Sequence, residues 1–224
     1  MRSLRFALAA ASLVASTAFA SPSAPVNGAE YLTLASPVPV QVQGKKVEVV
    51  EFFMYHCPHC NVLEPYLAEW IKKQGDNIVM KRVPFAYYGP NDPEAHLYLT
   101  LEAMGKLDEL HGKVFNAIHN ERVRLNTDDA VLAWVAKNGV DKAKFLEYWN
   151  SFGVLTKMKR LNQIVASYKI DSAPSLVVDG RYMTSPSVVD AANKGMPEAK
   201  LSATTVQVLD GLVAKVQKEK GYTK

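Results

Sequence analysis

The chain of 224 residues contains only two cysteines, Cys57 and Cys60, and both lie in one short stretch. No second pair exists that could complete a structural zinc site, which generally takes its ligands from two separated pairs. The sequence also has no internal repeat and, after residue 20, no segment apolar enough to cross a membrane. These absences argue against repeat and membrane-spanning proteins and make the cysteine pair the main chemical feature of the chain.

Charge is nearly balanced, with 26 Lys and Arg against 22 Asp and Glu. This balance gives no reason to invoke nucleic acid as a partner. The first twenty residues, MRSLRFALAAASLVASTAFA, combine an early positive charge, a short apolar core and an A-x-A motif that ends at Ala20. They predict a signal peptide cleaved after Ala20. We therefore expect a soluble exported protein in an oxidising compartment, the bacterial periplasm.

The motif Cys57-Pro58-His59-Cys60 lies between a predicted strand and a predicted helix. Residues 47–54 are mostly apolar and β-branched, which indicates a buried strand, and apolar residues recur at helical spacing after the motif. Pro58 suits the first helical position, where an N–H is not needed. Free N–H groups and the helix dipole favour a thiolate on the first cysteine. We expect an exposed, acidic Cys57 and a shielded Cys60 that together form a reversible dithiol.

Two alternatives to redox chemistry stay open for this motif. A cysteine pair in an exported protein is usually a structural disulfide, although one that closes so short a loop constrains the unfolded chain little. His56, Cys57, His59 and Cys60 are also residue types that bind zinc, but they lack a second pair. The order strand, motif, helix favours redox chemistry.

The remaining pattern predicts the order β, α, β, several helices, β, β, α. Residues 21–29 form a Pro/Ser-containing tether, and a second strand over 77–85 should run parallel to the first because a helix connects them. Helical spacing then continues to residue 168. Two late strands, 175–178 and 181–184, flank Asp179-Gly180, which is typical of a type I′ hairpin, and a closing helix is predicted over 203–218.

Three features follow each other along the chain: the motif FFxxxCPHC after a strand, the helical stretch, and the hairpin SAPSLVVDGRY. In this order and spacing, the sequence resembles the DsbA family of thiol:disulfide oxidoreductases over nearly the whole chain after residue 20. The resemblance implies an α/β, thioredoxin-like fold. In this fold, residues 30–85 and 169–224 form one discontinuous domain, and residues 86–168 form an inserted all-helical domain. It further implies that Cys57 is the nucleophile and Cys60 the resolving cysteine, with no metal and no cofactor beyond their disulfide.

The resemblance also suggests roles for residues around the motif. A cationic His59 would stabilise the Cys57 thiolate and hence an oxidising couple. Glu51, within the first strand, either reaches solvent or is buried with a raised pKa, and its spacing before Cys57 matches the family's buried acid, which moves protons for the resolving cysteine. The position of His56 varies in the family, and its role stays open.

Ala173-Pro174 begins the late hairpin. In thioredoxin-like folds this proline is cis and faces the cysteines, and the residue before it offers backbone groups to an extended substrate. Many family members have Val or Thr at that position. Ala173 departs from this pattern, which leaves the substrate groove and the redox tuning open.

The sequence thus predicts a monomeric periplasmic dithiol oxidase that donates the Cys57–Cys60 disulfide to reduced exported proteins. The resemblance implies reoxidation by a DsbB-like membrane quinone reductase. The alternatives are a disulfide isomerase, a narrow-substrate oxidase of the DsbL kind, and a non-enzymatic peptide-binding or chaperone module with a structural disulfide. The short segment before the first strand argues against an isomerase with a separate dimerisation domain.

Overall fold

The structure is a computed structural model that describes residues 24–222. The predicted signal peptide lies outside this range. The described strands are β1 Leu32–Thr33, β2 Val47–Phe53, β3 Ile78–Pro84, β4 Ser175–Val178 and β5 Tyr182–Thr184. The described α-helices are α1 Pro58–Gln74, α2 Pro93–Ala103, α3 Leu107–His119, α4 Asp128–Lys137, α5 Lys142–Trp149, α6 Phe152–Tyr168, α7 Pro186–Ala192 and α8 Glu198–Glu219.

The strands form one mixed sheet in the order β1-β5-β4-β2-β3. Strand β2 pairs parallel with β3 and antiparallel with β4, which confirms the predicted βαβ unit. All seven residues of β2 are buried because neighbouring strands and packed helices cover it on every side. The register places Glu51 directly opposite Arg82 on β3.

The two faces of the sheet pack against different helices. Val49 belongs to a core cluster with Leu67 of α1 and Leu212 of α8, whereas Phe52 packs on the other face with Tyr168 at the end of α6. A third cluster is formed mainly by helices α2 to α6, and it includes Phe53 and both cysteines. The cysteine motif therefore lies at the border between the sheet and the helical part of the molecule.

The predicted thioredoxin-like fold with an inserted helical domain is confirmed, since α2 to α6 all lie between β3 and β4. The domain boundaries themselves stay predictions. Helix α8 begins at Glu198, five residues before the predicted start, because its first turn carries little of the apolar stripe on which the prediction depended. Helix α7 was not predicted: it has only seven residues, although Ser185 caps it and Pro186 stands at its first position.

The turn between β4 and β5 lies where it was predicted, but β5 begins at Tyr182, one residue after the predicted start, and Val178 pairs with Tyr182. Asp179 and Gly180 both have positive φ angles, of 54° and 63°, as a type I′ turn requires. A Cβ atom on Gly180 would lie 2.0 Å from the carbonyl oxygen of Val38, so only glycine fits against this N-terminal segment. Within the stretch predicted as a tether, the N–H of Val26 donates a hydrogen bond of 2.9 Å to the buried carboxylate of Glu30.

Candidate active site

Cys57 is the N-cap residue of α1, and Pro58 takes the first helical position, as the sequence predicts. Both cysteines are free thiols in the structure. Cys60 is fully buried, as expected, but Cys57 is only 6% exposed rather than open to solvent. The difference has a tertiary cause, since the loop at Ala173 packs over Cys57 and its carbonyl oxygen accepts a hydrogen bond of 3.5 Å from Cys57 Sγ.

The two thiols differ strongly in acidity. A hydrogen bond from the Cys60 thiol, with further help from the backbone N–H groups of Cys60 and His59 and from the His59 charge, lowers the pKa of Cys57 to about 6, although burial opposes this. Burial, together with the neighbouring Cys57, raises the pKa of Cys60 far above its ordinary value. One sulfur is therefore suited to be a thiolate at neutral pH, and the other is suited to hold a proton.

His59 projects from the first turn of α1 and remains largely exposed. Its Nδ1 is hydrogen-bonded to the carboxylate of Glu198, at the start of α8. No local sequence pattern indicates this partner, because the two residues are 139 positions apart. This contact fixes the imidazole in the first turn of α1, close to Cys57.

Glu51 is buried, which matches the second of the two predicted environments. Arg82 Nε donates a hydrogen bond of 2.7 Å to Glu51, and Arg82 Nη2 reaches Glu64 of α1 at 3.2 Å. Burial raises the pKa of Glu51 to about 7 against the opposing charge of Arg82. Burial alone would also raise the pKa of Glu64, but contacts with His111 and Arg82 outweigh it and lower that pKa. Of the two carboxylates, Glu51 is the one that can exchange a proton near neutral pH.

Arg82 and Glu64 were missed by the sequence interpretation. Arg82 could have been found from the predicted parallel pairing, because a charged residue opposite a buried acid on the neighbouring strand is its natural partner. Glu64 follows Cys60 by one helical turn and so lies on the same face of α1.

The peptide bond between Ala173 and Pro174 is cis, as predicted. Together with His59 on α1 and Leu201 on α8, these residues line a groove of about 440 Å³ beside the cysteine motif. The contact of Cys57 with the Ala173 carbonyl shows that this loop and the nucleophile candidate belong to one site.

His56, whose role the sequence left open, is held by a residue that the sequence did not point to. Its Nδ1 donates a hydrogen bond of 2.7 Å to the buried carboxylate of Glu94 on α2, and its backbone N–H donates one of 3.2 Å to the same oxygen. The hydrogen bond to Glu94 raises the pKa of His56. The contact with Glu94 therefore favours the charged form of this imidazole, which lies beside the motif.

Within residues 24–222, no three His, Cys, Asp or Glu side chains are grouped closely enough to hold a metal ion. None of the helices in that range is both long and apolar enough to span a membrane.

Three comparisons bear on this geometry. The family model of the DSBA-like thioredoxin domain matches residues 93–193. The chain is 40% identical to the thiol:disulfide interchange protein DsbA of Burkholderia cepacia over 208 residues, 93% of each chain, and 44% identical to that of Bordetella parapertussis over 179 residues, which cover 80% of this chain and 85% of the relative. The crystal structure of Pseudomonas aeruginosa DsbA is similar with a TM-score of 0.73 and 35% identity, covering 87% of this chain and 95% of that one.

Proposed function

Since the chain belongs to the DsbA family and is a thiol:disulfide oxidoreductase, we propose that it works as a dithiol oxidase, which donates a Cys57–Cys60 disulfide to reduced proteins. The observation that carries this direction is the opposite displacement of the two thiol pKa values at one helix start. A stabilised Cys57 thiolate favours the reduced form of the pair, and a pair whose reduced form is stabilised readily oxidises other thiols.

The reaction has two exchange steps. A substrate thiolate attacks Cys57 Sγ of the oxidised protein, the Cys57–Cys60 bond breaks, and the electron pair stays on Cys60, which takes up a proton because its thiol is the weaker acid. A second substrate thiolate then attacks the substrate sulfur of the mixed disulfide. Cys57 leaves as a thiolate, and a low pKa makes it a good leaving group.

The surrounding residues have supporting roles in this proposal. Glu51 supplies and accepts the proton of Cys60, which is supported by its pKa near 7, by its burial, and by its charge, which raises the pKa of Cys60. His59, fixed by Glu198, adds positive charge beside the Cys57 thiolate. Pro58 begins the helix whose N–H groups face Cys57, and the loop at Ala173 and Pro174 presents backbone groups to the substrate.

We further propose that residues 1–20 are a signal peptide and that the mature protein acts as a monomer in the periplasm on newly exported proteins. A DsbB-like membrane quinone reductase would restore the disulfide. The cysteine pair itself is the redox group, so that the reaction needs no other cofactor. The names of the curated relatives and the sequence pattern of the N-terminus support this assignment.

The test uses reduced ribonuclease as substrate and separates the two cysteines. The oxidised wild type should oxidise it stoichiometrically, Cys57→Ser should be inactive, and Cys60→Ser, activated as a mixed disulfide with a small thiol, should accumulate a covalent adduct with the substrate. Rapid turnover by Cys60→Ser would contradict the assignment of roles. Efficient rescue of scrambled ribonuclease by a stable dimer would instead identify an isomerase.

A further inference from the structure

A second groove adjoins the cysteine motif at His56 and is lined otherwise by residues of the helical part of the molecule. It has a volume of about 470 Å³ and is lined by His56, Tyr88 and Glu94 on one wall and by the segment 122–126 on the other. Because His56 immediately precedes Cys57, a chain bound in this groove would lie beside the reacting sulfur. None of the roles proposed above uses this surface.

One rim of the groove presents exposed aromatic rings. Tyr87 is 67% exposed and Tyr88 49%, which is unusual for side chains of this size. Their rings pack edge to face with centroids 5.2 Å apart, and the His56 ring lies 4.7 Å from Tyr87. The aromatic surface is therefore formed before any partner arrives, and a partner would not have to order it.

The opposite rim carries two exposed arginines, Arg122 and Arg124. Neither forms a salt bridge with any residue of the described range 24–222. The one acidic side chain that lines the groove, Glu94, is already bound to His56. The groove therefore offers uncompensated positive charge to a ligand.

The arginine segment lies outside regular secondary structure and is anchored at two points. Arg122 has a φ angle of 60°, which is uncommon for a residue other than glycine, and Val123 N–H is bonded to the Ala117 carbonyl at 2.9 Å. Leu125 is buried between the two flanking polar side chains, Arg124 and Asn126. Within residues 24–222, the exposed residues Arg124 and Asn126 form no backbone–backbone hydrogen bond outside regular helices and strands, so their backbone groups can pair with a bound chain.

From these features we infer that the groove is a second substrate subsite, which binds an extended segment of the reduced protein that carries an acidic side chain close to its reacting cysteine. The arginines bind the carboxylate, and the tyrosines cover the apolar part of the segment. The inference rests on the proposed oxidase function and adds a preference for acidic sequence around the substrate cysteine.

The test is a double-mutant cycle that combines two protein forms with pairs of peptides. The two peptides of a pair differ only by Glu or Gln at one position. Dithiol peptides carry either Glu or Gln at each of five positions on either side of the attacking cysteine, and their second-order oxidation rate constants are measured with the oxidised full chain at low ionic strength. For the best position, the wild type should oxidise the Glu peptide about tenfold faster than the Gln peptide, since charges at the rim of an interface act mainly on association. Arg122→Gln combined with Arg124→Gln should abolish that ratio by slowing oxidation of the Glu peptide.

Matched controls isolate the arginines. Lys159→Gln combined with Arg160→Gln removes the same charge from the exposed face of α6 and should keep the tenfold ratio. Circular dichroism and the pH titration of the Cys57 thiolate should be unchanged in both double variants. High salt should reduce the wild-type preference, because the Debye length falls to about 3 Å at 1 M.

The outcomes separate the two proposals. Oxidation of every peptide without a preference for Glu at any position overturns the subsite and leaves the oxidase function intact, whereas no oxidation of any peptide overturns both. If the double arginine variant loses binding to phosphatidylglycerol vesicles while the peptide cycle shows no coupling, the groove is a lipid-facing surface and the subsite is likewise overturned.

Discussion

Arg82 Nε lies 2.7 Å from Glu51 Oε2, and the two residues are cross-strand neighbours in the parallel pair β2–β3. The contact is buried, with the Glu51 side chain 1% and the Arg82 side chain 14% exposed. Even so, burial keeps the pKa of Glu51 raised to about 7. The pair therefore does not act as a permanently ionised salt bridge at neutral pH, and its proton occupancy can be measured.

The first prediction concerns stability against pH. The pKa of Glu51 is higher in the folded protein than its ordinary value of 4.5, so the protonated side chain contributes to the stability of the fold. This contribution is fully present below pH 4.5 and is lost as pH rises to about 7. In Glu51→Gln the side chain no longer titrates, so this loss of stability with rising pH does not occur. Its free energy of unfolding relative to wild type should rise by about 3 kcal/mol between pH 4.5 and 7, measured by urea melts. Glu69→Gln, an exposed site on α1, should show no such trend.

The second prediction concerns proton transfer. If Glu51 exchanges a proton with Cys60, Glu51→Gln should slow closure of the disulfide when the reduced protein is oxidised by glutathione disulfide. A loss of about 10²-fold is expected for removal of a positioned acid–base group. Stopped-flow fluorescence follows the reaction, and the Cys57 thiolate titration checks that the nucleophile is unaffected. A closure rate equal to that of Glu69→Gln would refute the relay.

The third prediction ranks the groups that acidify Cys57. Absorbance of the reduced protein at 240 nm should report a thiolate with a pKa of about 6. Cys60→Ala should raise this pKa more than His59→Ala, because the hydrogen bond from the Cys60 thiol is the largest contribution and the His59 charge is the smallest of those that lower it. Lys137→Ala, which removes an exposed charge from α4, should leave it unchanged. The reverse ranking of the two variants would contradict the geometry.

The fourth prediction is a stability difference between redox states. The pKa of Cys57 is lower in the folded than in the unfolded protein, so its stabilisation of the reduced form is complete above pH 9 and is lost as pH falls through 6. The oxidised protein has no such thiol and serves as the reference. Between pH 5 and 8, the free energy of unfolding of the reduced form should therefore increase by about 2–3 kcal/mol relative to that of the oxidised form. A pH-independent difference in favour of the oxidised form would indicate a structural disulfide.

The fifth prediction concerns His56. The hydrogen bond to Glu94 raises its pKa, so that in Glu94→Gln the NMR titration midpoint of His56 should move to lower pH. The stabilisation associated with the charged ring is present below its ordinary pKa of 6.5 and is lost as pH rises through the folded value. Glu147→Gln on the exposed surface of α5 is the control, and an equal shift in both variants would exclude the direct contact as the cause.

The sequence alone determined the elements and the reactive pair, because both depend on local spacing. Alternation and apolar runs distinguish β2 and β3 from the helices, Asp179-Gly180 fixes the hairpin, and a strand followed by C-x-x-C and a helix places Cys57 at a helix N-terminus. The short helix α7 and the first turn of α8 were not predicted, because neither has enough periodically spaced apolar residues to be distinguished from a loop.

Only the tertiary structure decided what surrounds the cysteines. Glu94 is hydrogen-bonded to His56, 38 positions away in the sequence, and Glu198 is hydrogen-bonded to His59, 139 positions away. The Ala173 carbonyl reaches Cys57 across 116 positions and covers it, against the expected exposure. Burial and partner charge set the pKa values of these groups, and both arise when elements distant in the chain pack together, which no local pattern encodes.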